Sequence, residues 1–170
     1  MKVVYTDGSC VGNETKDESL RRAGIGIYFP GNPDFNVSEK LSVPPNTNIR
    51  AEMYAIVRAI LIILSHREHF EKTVLIKTDS KFSIDLITKW LEKWKKNGFK
   101  KANKNPVENK DLVILLDNTL EQAKAQGYII KFEHVYAHKS EPKVAHTDQK
   151  WIDWYCNSQV DQLALHGGTK

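Results

Sequence analysis

A chain of 170 residues, 41% of them hydrophobic, is long enough to bury one core. No apolar run approaches the roughly 18 residues of a membrane span, and Cys10 and Cys156 are too few for a disulfide framework. These features exclude a spanning helix and a disulfide-stapled module. The net charge of +4 is concentrated: residues 89–104, "KWLEKWKKNGFKKANK", carry seven lysines against one acid, a basic lobe suited to a polyanion.

The elements follow in order. Residues 2–7 form a short apolar strand, ending at Asp7-Gly8. Residues 23–29 read as a second strand and residues 36–42 alternate as a third, with "GNPDF" supplying the hairpin signals between them. The loop "VPPNTN" precedes a helix in which Met53, Val57, Ile60 and Leu64 recur at amphipathic spacing. "TVLIKT" (73–78) is a fourth strand, and Ser80 to about Trp94 is helical. Leu112, Leu116, Leu120 and Ala123 mark another helix, which Gly127 ends. "YIIKFEHV" (128–135) is the last strand, and the final helix runs from about residue 153 to 165. Three consecutive strands imply an antiparallel meander, and helical crossovers imply parallel pairing. The expected fold is α/β, a five-stranded mixed sheet with β1 to β3 antiparallel, β4 and β5 parallel, and helices on its faces. Residues 1–170 read as one domain without a repeat or linker. A chain opening on a strand shows no secretory signal, and an intracellular setting is expected, cytoplasmic or nuclear, with a viral or organellar one left open.

Four acids stand out. Asp7 ends the first strand, Glu52 sits in the first turns of the first long helix, Asp79 follows the fourth strand, and Asp161 lies in the last helix. Each has an ordinary explanation: a turn at Asp7-Gly8, a helix-terminus acid at Glu52, a cap at Asp79 or Ser80, a surface acid at Asp161. Together, however, carboxylates gathered at one sheet edge repel each other unless a cation compensates them, and hard divalent ions take oxygen ligands.

"YTDGSC", "NTNIRAEMYA", "KTDSKFSIDLITKWLEKWKKNGFKK" and "NSQVDQLA" resemble, in order and spacing, the type 1 ribonuclease H family over nearly the whole chain. That resemblance implies an endonuclease cutting the RNA strand of RNA–DNA hybrids and leaving 5′-phosphate and 3′-hydroxyl ends. Asp7, Glu52, Asp79 and Asp161 would hold two Mg²⁺, with Mn²⁺ as a substitute, and His138 would be a mobile proton-handling residue. It further implies RNA-strand contacts at Asn13, Asn48 and Cys10, and DNA-strand contacts at Thr47, Phe82, Trp90 and Asn109. Lys95, Lys96, Lys100 and Lys101 would form a basic protrusion. Pro45 and Ile49 depart from the pattern, and so does the interval of 23 residues from His138 to Asp161. A segment at about 139–156 reads as an inserted loop, with His146, Asp148 and Asp153 as decoys. Trp151, Trp154 and Tyr155 either pack that loop or extend the substrate surface. The expected partner is an RNA–DNA hybrid, with no membrane. A monomer is expected, alone or as part of a polymerase or polyprotein. A non-catalytic hybrid-binding module and another nuclease of this fold remain the competing readings.

Overall fold

The computed structural model describes residues 1–137 and 139–170, so His138 lies outside the described residues. Five strands pair in the order β3-β2-β1-β4-β5: β1 Lys2–Val11, β2 Arg22–Tyr28, β3 Val37–Lys40, β4 Thr73–Thr78 and β5 Ile129–His134. The first three are antiparallel neighbours, and β4 is parallel to both β1 and β5. This is the expected mixed sheet. Its parallel pairs are reached by helical crossovers, as parallel strands require: α1 (Asn48–Ser65) precedes β4, and α4 (Lys110–Ala125) precedes β5.

Strand β1 is longer than its apolar pattern suggests. Its ladder with β2 continues to Val11, with Asp7 opposite Gly26, whereas its ladder with β4 ends at Thr6–Thr78. Asp7 therefore sits not at a strand tip but where β1 loses one neighbour. Asp79 directly follows the last β4 partner. Ladder hydrogen bonds are made by the backbone, so a carboxylate and a glycine continue the strand where the hydrophobic signal stops.

Side-chain alternation sorts the two faces. Val4, Ile25, Ile27, Val74 and Ile76 join Met53, Ile56, Ile60 and Ile63 of α1 and Leu112 and Leu116 of α4 in the main core. Val3 and Tyr5 turn the other way, toward Ile152, Cys156 and Val160 of α5 (Gln149–Gly167). A Cβ on Gly26 would lie 2.5 Å from the Val160 carbonyl oxygen, so α5 rests on the bare backbone of β2.

Two helical segments differ from the sequence reading. First, α5 begins at Gln149, with Asp148 capping it by accepting from the Lys150 amide at 2.8 Å. Residues 149–156 of the expected loop are thus helix. Ile152 and Cys156, four apart, give that added length an apolar edge against the sheet. Second, the helix after β4 is not uniform: α2 (Lys81–Asp85) passes through a π turn (Leu86–Trp90) into α3 (Leu91–Lys96). Residues eight apart on an ideal helix are about 80° out of line. The wider turn absorbs that offset, and the rings of Phe82 and Trp90 come to 5.5 Å.

Candidate active site

The site is assembled by a close backbone approach. A Cβ on Gly8 would lie 2.2 Å from the Glu52 amide nitrogen and 2.3 Å from the Ala51 carbonyl carbon. Only glycine lets the first turns of α1 cross β1 here, and that crossing brings Glu52 to Asp7. The Gly8 amide donates to Asp7 Oδ1 at 2.9 Å. On β4, Ser80 rather than Asp79 caps α2, accepting from the Ser83 amide at 3.2 Å. The Ser80 amide donates to Thr78 Oγ1, and His134 Nε2 lies 3.2 Å from the Asp79 carbonyl oxygen. Carboxylate oxygens of Asp7, Glu52 and Asp79 lie within 4.8 Å of one another. Asp161 of α5 stands outside that tight trio but lines the same cleft of about 490 Å³.

Electrostatics make the trio unusual. Asp7 and Glu52 are buried. Burial, then the charges of Glu52 and Asp79, then Asp161, hold the Asp7 carboxyl well above the usual carboxylate range. Burial and then Asp79 do the same to Glu52, partly offset by hydrogen bonds from Asp7 and the Gly8 backbone. Glu52 Oε2 is buried without a hydrogen-bond partner among the described residues. Such an atom is costly unless something occupies it. An all-oxygen donor set with an orphaned buried oxygen fits a hard divalent cation such as Mg²⁺ or Mn²⁺.

The expected substrate residues lie on the rims. Cys10, Asn48 and Phe82 line the cleft. Asn13 Oδ1 accepts from the Asn48 amide at 2.9 Å, and Cys10 Sγ lies 3.7 Å from the Asn46 carbonyl oxygen. Trp90 continues the aromatic row from Phe82 to Trp94. Thr47 and Asn109 are linked by a residue that sequence reasoning missed, the buried Arg50. Its amide donates to Thr47 Oγ1, and its guanidinium donates to Asn109 Oδ1, to both oxygens of Asp111 and to the carbonyls of Val43 and Pro44. The signal was present: Arg50, Met53, Val57 and Ile60 share one spacing, so a charge sat on the buried stripe.

The four lysines of the lobe are not equivalent, and Lys95 is the one most engaged in ion pairs. Its Nζ lies 3.2 Å from Asp117, 3.3 Å from Glu121 and 3.6 Å from Glu92, so it bridges to α4 at the base of the lobe. Lys101 pairs with Glu108. Lys96 and Lys100 are in no ion pair among the described residues. The decoys have structural positions: Asp148 caps α5, Asp153 binds Lys77 and Tyr5, and His146 stacks on Trp151. Trp151 also stacks on Tyr155 and donates to Glu141, so it ties the inserted segment to its own helix.

A family model described as RNase H matches residues 1–168. The ribonuclease H of Schizosaccharomyces pombe is 32% identical over 169 residues, covering 99% of this chain and 53% of that protein. The ribonuclease H of Klebsiella pneumoniae subsp. pneumoniae is 36% identical over 149 residues, covering 86% and 83%. The solution structure of the PFV RNase H domain superposes with a TM-score of 0.65 at 25% identity, covering 99% of this chain and 94% of that one. The chain spans about half the length of the S. pombe and mammalian relatives it matches.

Proposed function

Because this chain belongs to the RNase H family, we propose that it hydrolyses the RNA strand of RNA–DNA hybrids as an endonuclease, leaving 5′-phosphate and 3′-hydroxyl ends. The observation that carries this reading is the trio of Asp7, Glu52 and Asp79, the first two buried and the third half-buried, with oxygens within 4.8 Å at the floor of an open cleft. Asp7, Glu52, Asp79 and Asp161 are the residues that hold the cations. Two Mg²⁺, or Mn²⁺, would supply positive charge at the scissile phosphate and a water made acidic enough to attack it.

The chain's own groups do the rest. Cys10, Asn13 and Asn48 face the RNA strand, where a 2′-hydroxyl distinguishes RNA from DNA. Phe82 and Trp90 pack on DNA sugars, and Thr47 with Asn109, braced by Arg50, receive a DNA phosphate. Lys96, Lys100 and Lys101 add phosphate contacts that fix position without reading sequence. His138 is kept as the group that carries a proton or helps product leave. Residues 1–170 act as one monomeric unit, alone or within a larger polymerase or polyprotein.

The test is cleavage of an end-labelled hybrid with Mg²⁺, Mn²⁺ or EDTA, beside RNA duplex, DNA duplex and single-stranded RNA. Metal-dependent cutting of the hybrid's RNA alone is expected. Asp79→Asn should abolish cutting while hybrid binding persists. Cutting that survives the substitution overturns the ligand assignment, and binding without cutting in any metal favours the non-catalytic module.

A further inference from the structure

The active-site cleft does not end at Asp161. A narrower trough of about 130 Å³ begins there and runs between Tyr136, Lys139, Trp154 and Asn157. It opens into a second cleft of about 480 Å³ that shares Tyr136, Lys139 and Trp154 and reaches Lys150. The inserted segment and the added turns of α5 build this path, and none of the substrate contacts assigned above uses it.

Three features of its walls indicate what would occupy it. Asn157 is 5% exposed, and its Oδ1 has no hydrogen-bond partner among the described residues, so a buried acceptor lines the trough without a donor. Tyr136 is 68% exposed, a large aromatic face left in water, and Lys139 Nζ lies 4.6 Å from its ring centroid. The Trp154 indole donates to the Lys139 carbonyl at 2.8 Å, which ties loop to helix before any ligand arrives. Beyond Asp161, in the wider cleft, the charge is also one-sided. Glu133 and Asp153, the acids of the wider cleft, both pair with the buried Lys77, whereas Lys139 and Lys150 are in no ion pair among the described residues.

An exposed ring, adjacent unpaired cations and a buried acceptor are the parts of a single-stranded nucleic-acid subsite. The ring stacks a base, the cations meet phosphates, and the acceptor takes a donor such as a 2′-hydroxyl or an exocyclic amine. We propose that the trough binds an unpaired nucleotide of the RNA strand where that strand runs past the end of the hybrid. Substrates with a single-stranded RNA extension would then be held more tightly than blunt hybrids. The proposal rests on the hybrid-cleavage reading for its strand and deepens it by naming a substrate class: hybrid ends with RNA tails.

The experiment compares a blunt hybrid, the same hybrid with an RNA extension at either RNA end, and a hybrid lengthened by paired residues. Each is measured by KM in Mg²⁺ and by equilibrium anisotropy in EDTA, with wild type, Tyr136→Ala and Lys139→Ala. One RNA extension should lower KM and Kd roughly five-fold or more, the low end for one base stacked on one ring, with kcat unchanged. Tyr136→Ala should remove that gain and leave the blunt hybrid as before, since so exposed a side chain contributes little to folding. Equal affinity for blunt and extended hybrids overturns the proposal. So does a gain that survives Tyr136→Ala, or one that paired lengthening reproduces. A chain that binds the extended hybrid preferentially but cuts nothing would overturn the catalytic reading and leave the trough supported.

Discussion

Replacing Asp153 by alanine should destabilise the protein far more than a surface substitution. Tyr5 OH, Lys77 Nζ and Gln149 Nε2 all donate to Asp153 Oδ1, at 2.5, 2.8 and 2.9 Å. Tyr5 and Lys77 are partners across the β1–β4 ladder, so the acid pins α5 to both strands one repeat behind Asp7 and Asp79. The Lys77 side chain is only 4% exposed. Without Asp153, its one remaining carboxylate is the half-exposed Glu133 at 3.6 Å. Breaking a buried pair by removing one partner costs about 3–5 kcal/mol. Glu133 remains and Asp153 is itself partly exposed, so the low end applies, about 3 kcal/mol. For a domain of this size that corresponds to a fall in Tm of roughly 6–12 °C. Urea and thermal unfolding in EDTA would measure it. A Lys77→Met/Asp153→Leu double variant should recover most of the loss, because apolar replacement of a buried pair is often near neutral. An Asp153→Ala protein within about 0.5 kcal/mol of wild type, or a pairwise coupling near zero in the double-mutant cycle, would refute this account of how α5 is held.

Gly8→Ala should push α1 from β1 and separate Glu52 from Asp7; calorimetry should show Mg²⁺ binding weakened well before the fold is lost to denaturant. Lys96→Gln and Lys100→Gln should each flatten the dependence of hybrid affinity on salt, by up to about one unit of slope. Lys95→Gln should leave that slope unchanged and instead lower Tm, because its ammonium is committed to α4. The acidic site should also set a pH dependence. Asp7 and Glu52 have native pKa values raised above the ordinary range, so the stability they contribute is complete below that range and is lost as pH rises through the native values. In EDTA, Asp7→Asn should therefore gain stability relative to wild type as pH rises above the ordinary carboxylate range, and Mg²⁺ should diminish the gain. A difference that stays flat as pH rises would contradict the raised values.

What the sequence made legible is what side chains encode. The β-rich run of β4 gave that element to the residue, the apolar stripe of α1 gave its central turns, and the acids Asp7, Glu52 and Asp79 converge as their motifs suggested. What backbone geometry encodes was hidden. The continuation of β1 to Val11 is made of ladder bonds that any residue supplies. The π turn that aligns Phe82 with Trp90 leaves the composition of its helix unchanged. The start of α5 was signalled by Asp148, but the aromatic residues Trp151, Trp154 and Tyr155 after it masked the edge formed by Ile152 and Cys156. Arg50 and Lys77 were missed for a different reason. A charge on an apolar stripe reads as exposed until its partner is known, and Asp111 and Asp153 lie far away in sequence.

The acids constrain the fold as much as the fold places the acids. Two unit charges at 4.8 Å, the outer limit for the trio, repel by about 3–4 kcal/mol in an effective dielectric of about 20. Three such pairs sum to roughly 10 kcal/mol, comparable to the entire stability of a typical domain, about 5–15 kcal/mol. Full ionisation without compensation would therefore oppose folding on its own. Protons compensate at low pH, which is what the raised Asp7 and Glu52 values express, and a divalent cation would do so at neutral pH. Three close approaches impose the cost: α1 crossing Gly8, the end of the β1–β4 ladder at Thr6–Thr78, and α5 resting on Gly26 so that Asp161 joins the cleft. The glycines act by letting backbones meet, and they maintain a concentration of negative charge that a relaxed chain would disperse. If that is their role, removing one charge should relieve what removing one glycine disrupts. Asp7→Asn should stabilise the metal-free protein at neutral pH, whereas Gly8→Ala should destabilise it at every pH.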